Sequence, residues 1–349
     1  MISDLLGPLP AVEQIKFGKL FAPTFVIAEY KGGQWTDFSV EPLRMLELHP
    51  AAVVFHYGQA IFEGLKGYLR SKGEVALFRP ELNAERFVSS AERLALPVLS
   101  EPSFIEALVY AVDANLDYVP GRPGSLYLRP TMIGSEPCIG VRGSTEALFF
   151  VLALPAGSYF RDGKEAIDVF VSETMARSAR GGTGNVKASA NYAPTLKSIY
   201  EAKQIGCDQV LYLDSLNRGL VEEMGGMNIF FLVDDRLVTP PLGGTILPGI
   251  TRATVIETAH ALGLPVEERP ISLREIKEAT RAGKLTEAFA CGTAATIVGI
   301  NRFILESGGT LQMPVSAPGP VTRRLLAYVQ DVQYGEIPDR HGWMRVVKG

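Results

Sequence analysis

The stretch "SARGGTGNVKASANYAP", Ser178–Pro194, sets one lysine, Lys187, among Gly, Ala, Ser and Asn. A lysine with so little bulk around it is either a solvated loop residue or an amine that a ligand must approach closely. Gly184 and Ala188 would leave room for such an approach. The loop by itself does not separate the two readings, so the residues around it in the chain must.

At 349 residues the chain exceeds the size at which a single core stops growing, and two domains are expected. Its 47% hydrophobic and 21% charged residues are those of an ordinary globular protein. A net charge of −4 with no Lys/Arg run leaves no electrostatic footprint for nucleic acid. The opening "MISDLLGPLPAVEQIKFGKL" lacks the charged start and continuous apolar run of a signal peptide, and no apolar run reaches bilayer length. Membrane and nucleic acid are therefore not expected partners. Cys138, Cys207 and Cys291 are scattered and odd in number, which argues against a disulfide framework and for a reducing cytoplasm. His49, His56, His260 and His341 fall in no ligand spacing, so no metal is expected.

The first half alternates short strand-like runs with helices. "EVALFRP" reads as a strand and "ELNAERFVSSAERLALP" as a helix with Phe87, Ala91 and Leu94 on one face, stopped before Pro97. "SFIEALVYAVDANLDYVP" reads as a second amphipathic helix, and "GSLYLRPTMIG" and "EALFFVLALPAG" as strands. "SYFRDGKEA" breaks the pattern with Gly and charge. Beyond it come a strand, "IDVFVSE", the Lys187 loop, and a helix, "APTLKSIYEAKQIG", ended by Gly206. "DQVLYLD", "MNIFFLVDDRLVTP" with a turn at Asp234-Asp235, and "LTEAFACGTAATIVGI" supply further strands. Two α/β domains joined near residue 165 follow.

Four pieces could carry chemistry. In "TILPGITRATVIETAHALGLP" the spacing of Val255, Ile256, Ala259 and Leu262 predicts a helix that starts near Ile250 or Thr251 and stops at Gly263. Its first backbone N–H groups are unpaired and carry the positive end of the dipole. They would seat a phosphate, although the stretch taken alone also reads as a plain capped helix. "ACGTAAT" ends a strand in small residues, Gly292-Thr293-Ala294, through which amides could reach a ligand. Arg86, on the edge of its helix, is a surface arginine or a phosphate fork. "GLVEEMGGMNIFF" puts Glu222 and Glu223 at the mouth of an apolar strand, where one should be a solvated loop acid and the other could be functional. Tyr57, Phe62, Tyr127 and Arg129 accompany small residues in "VFHYGQAIFEGLKGY" and "LYLRPTMIGSEPCIGV"; strand aromatics of this kind are usually core. The order of the pieces says more than any one of them: an amine, an acid, a phosphate-type helix start and a Gly-Thr-Ala turn are the parts a pyridoxal phosphate enzyme needs.

With these pieces in this order, the sequence resembles the branched-chain amino acid aminotransferases of the class IV (fold type IV) pyridoxal phosphate family. "HYGQAIFEGLKGY", "LFRPELNAERF", "LYLRPTMIGSEPCIGV", "GGTGNVKASANYAP", "GCDQVLYLD", "EEMGGMNIFF", "TPPLGGTILPGITR" and "CGTAAT" carry the likeness over nearly the whole chain. The resemblance implies a two-domain α/β (α+β type) fold: a smaller N-terminal domain over 1–161, a linker over 162–175, and a larger C-terminal cofactor domain over 176–349 with a mixed sheet or barrel core. It implies pyridoxal 5'-phosphate as cofactor and ping-pong transfer of the amino group of L-leucine, L-isoleucine or L-valine to 2-oxoglutarate. A D-amino acid aminotransferase or an aminodeoxychorismate lyase would share the same lysine, acid and phosphate cup; "HYG" with "FEG", and "YLRP" with "GSEPCIGV", favour the branched-chain type.

By the same resemblance Lys187 carries the cofactor as a Schiff base and shuttles the proton, Tyr192 meets the cofactor's phenolic oxygen, and Glu223 keeps the ring nitrogen protonated. Arg86, the Ile250 and Thr251 amides and Thr293 form the phosphate cup, and Thr293 with Ala294 meets the substrate's α-carboxylate. Tyr57, Phe62, Tyr127, Tyr159 and Met227 line the side-chain pocket, and Arg129 takes the second carboxylate of glutamate. Val141 lies in a loop that reaches a partner subunit, so a homodimer is implied. Three departures stand out: Gly226 replaces a threonine of several relatives, Ala295 and Val298 occupy the places of a CxxC redox pair, and the acid is doubled as Glu222-Glu223.

Overall fold

The apolar ten-residue runs Ser125–Gly134 and Ala147–Ala156 pair antiparallel from end to end, Ser125 opposite Ala156 and Gly134 opposite Ala147. This hairpin is the spine of the first of two units in the computed structural model, which describes residues 8–157 and 164–348 and the backbone of 3–4. The sheet built on it runs Met344–Lys348, Val75–Phe78, Leu65–Leu69, Ser125–Gly134, Ala147–Ala156, Thr24–Lys31, Gln34–Trp35. Ser39–Pro42 adds to Thr24–Lys31, and Ala60–Phe62 adds to Ser125–Gly134. Every pairing in it is antiparallel.

Because side chains alternate along a strand, Leu126, Leu128, Phe149 and Val151 go to one face and Tyr127, Arg129, Leu148 and Phe150 to the other. The first face is covered by the helices Pro80–Arg93 and Glu101–Asp113, and Phe87, Phe104 and Phe149 meet there with ring centroids 4.9–6.3 Å apart. Tyr127 and Arg129 are thereby kept out of that core. The first helix stops at Arg93, three residues short of the expected limit at Leu96, because the chain turns at Ala95 with φ +50°. The second starts at Glu101, its N-cap Ser100 accepting the Ser103 N–H at 3.3 Å.

The second unit is a mixed sheet in the order Val221–Met224, Gln209–Leu213, Ala166–Ser172, Thr296–Leu305, Leu285–Gly292, Asn228–Val233, Arg236–Thr239, Val266–Glu268. Ala166–Ser172 is parallel to both neighbours, and Arg236–Thr239 is parallel to Val266–Glu268; the other pairings are antiparallel. The hairpin at Asp234-Asp235 has both residues left-handed, φ 47° and 59°, as a tight two-residue turn requires. The helix Ile250–Ala261 buries Val255 and Ala259 against Phe230 and Phe289, whose rings stack at 5.2 Å.

The units are not two consecutive blocks. Residues 8–157 group with Val186–Ala190 and 331–348, while 164–185 group with Asn191–Gln330. The expected linker over 162–175 instead contains Ala166–Ser172, hydrogen-bonded along both edges. The C-terminal strand Met344–Lys348 belongs to the first sheet because it pairs with Val75–Phe78. The expected boundary at 161 and 162 lies outside the described residues.

One buried carboxylate anchors the helix Pro320–Tyr334. Glu287, 6% exposed, accepts the N–H groups of Val321 (3.0 Å) and Thr322 (2.9 Å) and the Thr322 hydroxyl (2.7 Å). A Cβ on Gly319 would lie 2.2 Å from the Glu287 carboxyl carbon, so that turn needs glycine. Removing the carboxylate leaves helix-start donors without a partner, which costs about 1–3 kcal/mol. Glu287→Ala should therefore lower the urea midpoint, and Glu287→Gln should recover part of the loss through its remaining amide oxygen.

Candidate active site

The expected residues divide between the two units. In the first, the segment carrying Lys187 is fixed through its backbone. Lys187 N–H donates to Ser90 Oγ at 3.0 Å, its carbonyl accepts the Phe62 N–H at 3.1 Å, and Ala188 bridges Ile61. Val186 and Ala188 are buried while Lys187 is half-buried, its Nζ 5.0 Å from the Phe62 ring centroid. Arg129 packs on the same ring, its guanidinium carbon 4.6 Å from the centroid, so Phe62 serves two cations. Arg129 Nη2 donates to Tyr127 Oη at 2.9 Å, and among the described residues its buried Nε has no hydrogen-bond partner. Gly64 makes this arrangement possible, since a Cβ there would stand 2.0 Å from Tyr127 Oη.

Arg86 is not a surface arginine. It is 9% exposed and grips the wholly buried Glu63 side-on, Nε to Oε1 at 2.7 Å and Nη2 to Oε2 at 2.8 Å. Tyr57 is 40% exposed and donates to the Ile139 carbonyl, and Val141 is 86% exposed on the following loop. Arg142 braces that loop by bonding Glu136. This contact and the Thr145 N–H draw the Glu136 carboxyl down to about 2. Tyr159 lies outside the described residues.

The second unit holds the acid. Glu223 sits in the strand Val221–Met224, 3% exposed, ion-paired to Arg177. It also accepts the Leu247 N–H at 2.9 Å and Asn228 Nδ2 at 3.2 Å. Arg177, itself 7% exposed, donates to the carbonyls of Gly184 (3.0 Å) and Thr245 (2.7 Å), joining the acid to the glycine loop. Gly184 is small for the loop's own sake rather than to leave an approach open, because a Cβ would fall 2.3 Å from the Thr245 carbonyl oxygen.

The expectation that one of Glu222 and Glu223 is a solvated loop acid is overturned. Both are 3% exposed within one strand, whose alternation sends them to opposite faces. Glu222 Oε2 takes a long contact from Ser178 Oγ at 3.5 Å, Thr245 and Arg177 also act on the carboxylate, and among the described residues its buried Oε1 has no hydrogen-bond partner. Burial pushes its carboxyl above the ordinary range, and Asp214 adds to that push.

The helix Ile250–Ala261 starts without a side-chain cap, at Gly249, where a Cβ would lie 1.9 Å from Asn228 Oδ1. The same asparagine thus touches both the acid and the helix start. Met227 packs on Gly292 at the head of the Thr293-Ala294 turn, and that turn closes through left-handed Thr296, φ 61°. Gly226 faces Tyr192, whose ring would be 3.8 Å from an added Cβ, so a side chain is sterically allowed there. Burial lifts the thiols of Cys207 to about 11 and Cys291 to about 12, which keeps both unreactive. Sequence reasoning missed Arg177, Glu63 and Ser90. The signal for the two charged ones was a charge inside an apolar or glycine-rich run, where burial requires an opposite partner.

The family model for class IV amino-transferases matches residues 60–303. The branched-chain-amino-acid aminotransferase of Mycolicibacterium smegmatis is 43% identical over 335 residues, spanning 94% of this chain and 91% of that protein. Among solved structures, the Thermobaculum terrenum branched-chain amino acid aminotransferase in its PLP form superposes with a TM-score of 0.75 at 26% identity, covering 93% of this chain and 98% of that one. The Escherichia coli branched-chain amino acid aminotransferase gives 0.75 at 26% identity, covering 93% and 100%. The chain belongs to the class IV aminotransferases. Its cofactor is pyridoxal 5'-phosphate, and the residues present fit that group. The helix start at Gly249 has no side-chain cap, which suits an anion, Lys187 offers a half-buried primary amine, and an arginine-paired carboxylate suits a protonated ring nitrogen.

Glu222 gives a pH test. Its raised native value means that the unfolded chain ionises first as pH rises, so wild-type stability falls between the ordinary value and the raised one and is level above it. Glu222→Gln removes this loss. Thermal melts should place its Tm above wild type near about pH 8, with the gap shrinking toward about pH 4.

Proposed function

We propose that this protein is a branched-chain amino acid aminotransferase that moves the amino group of L-leucine, L-isoleucine or L-valine to 2-oxoglutarate. The observation that carries the reading is the 43% identity, over nearly both full lengths, with a protein of that name. Bound pyridoxal phosphate supplies the electron sink for the charge left on the α-carbon of the amino acid. The chain's residues do the rest. Lys187 would take the α-carbon proton and deliver it to the cofactor's C4′ carbon, the step that lets the amino group leave the substrate. Glu223, ion-paired to Arg177, holds the proton on the ring nitrogen; a neutral amide there could not.

The amides of Ile250 and Thr251, with Arg86 and Thr293, hold the phosphate, and Tyr192 meets the phenolic oxygen. Thr293 and Ala294 receive the α-carboxylate. Phe62, Tyr57 and Tyr127 of the first unit and Met227 of the second are the apolar candidates for meeting a branched aliphatic side chain. Glutamate must use the same space, and Arg129 is the polar handle it needs: among the described residues its buried Nε is a donor without a hydrogen-bond partner, which suits a second carboxylate. Exposed Val141 and Met45 (86% and 90%) support a homodimer in which such surfaces are covered. Three free cysteines support a cytoplasmic setting, and among the described residues no helix is long and apolar enough to cross a membrane.

Steady-state rates across a donor panel test the reading. L-leucine, L-isoleucine and L-valine should be good donors to 2-oxoglutarate, and Lys187→Ala should lower turnover by roughly 10²-fold or more. Activity confined to D-alanine, or full activity in the Lys187 variant, contradicts it.

A further inference from the structure

We propose that Glu63 is a positioning residue of the active site, whose buried carboxylate fixes the guanidinium of Arg86 and serves as the standing counter-charge to the Lys187 amine. The inference rests on the reading of Lys187 as the reactive lysine and goes beyond it, since an acid of this kind takes no part in the chemistry itself.

Four N–H groups hold the carboxylate, which is 0% exposed: Arg86 Nε at 2.7 Å, Arg86 Nη2 at 2.8 Å, Asn83 Nδ2 at 2.6 Å and Gly64 N at 3.2 Å. Burial by itself would raise its pKa. Attraction to Arg86 and Lys187, with the Arg86 and Asn83 hydrogen bonds, outweighs burial and leaves it below the ordinary range. The carboxyl is therefore charged at any working pH. Arg86 from the helix Pro80–Arg93 and Lys187 from its own segment are the charged groups that act on it.

The backbone closes the arrangement into a ring. Glu63 holds the Arg86 side chain, the Arg86 carbonyl accepts the Ser90 hydroxyl at 2.7 Å, and Ser90 Oγ accepts the Lys187 N–H at 3.0 Å. The Lys187 carbonyl then accepts the N–H of Phe62, the residue before Glu63, at 3.1 Å. The main chain at Phe62–Glu63 and at Lys187 is thus tied together by a circuit that also contains Arg86. A plain structural counter-ion would need Arg86 alone. The second cation on this carboxylate is the one whose charge must come and go during amino transfer, and a fixed anion beside it favours the protonated form.

The test uses the cofactor-loaded enzyme with Glu63→Gln, which keeps the shape and removes the charge. Two readouts are taken: the pH midpoint at which the visible band of the bound cofactor changes, and the dissociation constant for pyridoxal phosphate. The midpoint should fall by roughly 1–3 pH units, because the protonated form loses the anion that attracts it. The dissociation constant should rise about tenfold or more as Arg86 loses its hold. An unchanged midpoint overturns the proposal. Should the glutamine variant fail to fold, Glu63→Asp retains the charge one methylene short. It should keep the wild-type midpoint while weakening cofactor binding several-fold, and wild-type binding would overturn the proposal. Borohydride reduction of the wild type separates the two levels of failure. A peptide label on Lys187 together with an unaffected glutamine variant defeats only the role of Glu63, and absence of that label defeats the reading of Lys187 as well.

Discussion

A carboxylate sealed from water is stable only with a cation and hydrogen bonds around it, and two such carboxylates organise this molecule. Glu223 is held by Arg177, Leu247 N–H and Asn228, and these same groups tie down the glycine loop and the uncapped helix start. Take away the acid and Arg177 becomes a buried, uncompensated charge beside Gly184 and Thr245. The loop ahead of Lys187 is therefore shaped by an electrostatic demand made elsewhere in its own unit. In the first unit Glu63 has the same standing toward Arg86. Each unit thus prepares one charge arrangement before any ligand arrives, which is the preorganisation that amino transfer needs.

Much of this was legible in the sequence. Period-two alternation located Ser125–Gly134 and Ala147–Ala156, and helical spacing with a terminal glycine located Ile250–Ala261. These signals are local, because they come from residues a few positions apart. Motif order, through the family resemblance, then favoured the reactive reading of Lys187 over the solvated one. The terminal strand pairing with Val75–Phe78 and the placement of 186–190 in the first unit are non-local, and no window of sequence records them.

The charged residues show the same limit more sharply. Arg86 was open between a surface arginine and a phosphate fork, because nothing in "NAER" reveals that Glu63, twenty-three positions earlier, meets it in the core. Glu222 and Glu223 look alike in the chain. Only the pleat, which sends them to opposite faces, gives Glu223 the direct ion pair to Arg177 and leaves Glu222 with an oxygen that has no hydrogen-bond partner among the described residues. The bland residues around Lys187 also change meaning. Gly184 admits the Thr245 carbonyl, and Ala188 fills a buried site against Ile61, so the loop is small because the protein itself packs closely there.

The claim on which the rest depends is that Lys187 and the arginine-paired Glu223 together drive amino transfer from a branched-chain donor. The most direct measurement is the isolated first half-reaction: L-leucine is mixed with the cofactor-loaded protein, and the yellow absorbance is followed in wild type and in Glu223→Gln. The wild type should bleach fully and regain its colour on addition of 2-oxoglutarate, while the glutamine variant should bleach roughly 10²-fold or more slowly. A wild type that does not bleach with L-leucine, or a Glu223→Gln variant that bleaches at the wild-type rate, would contradict the account.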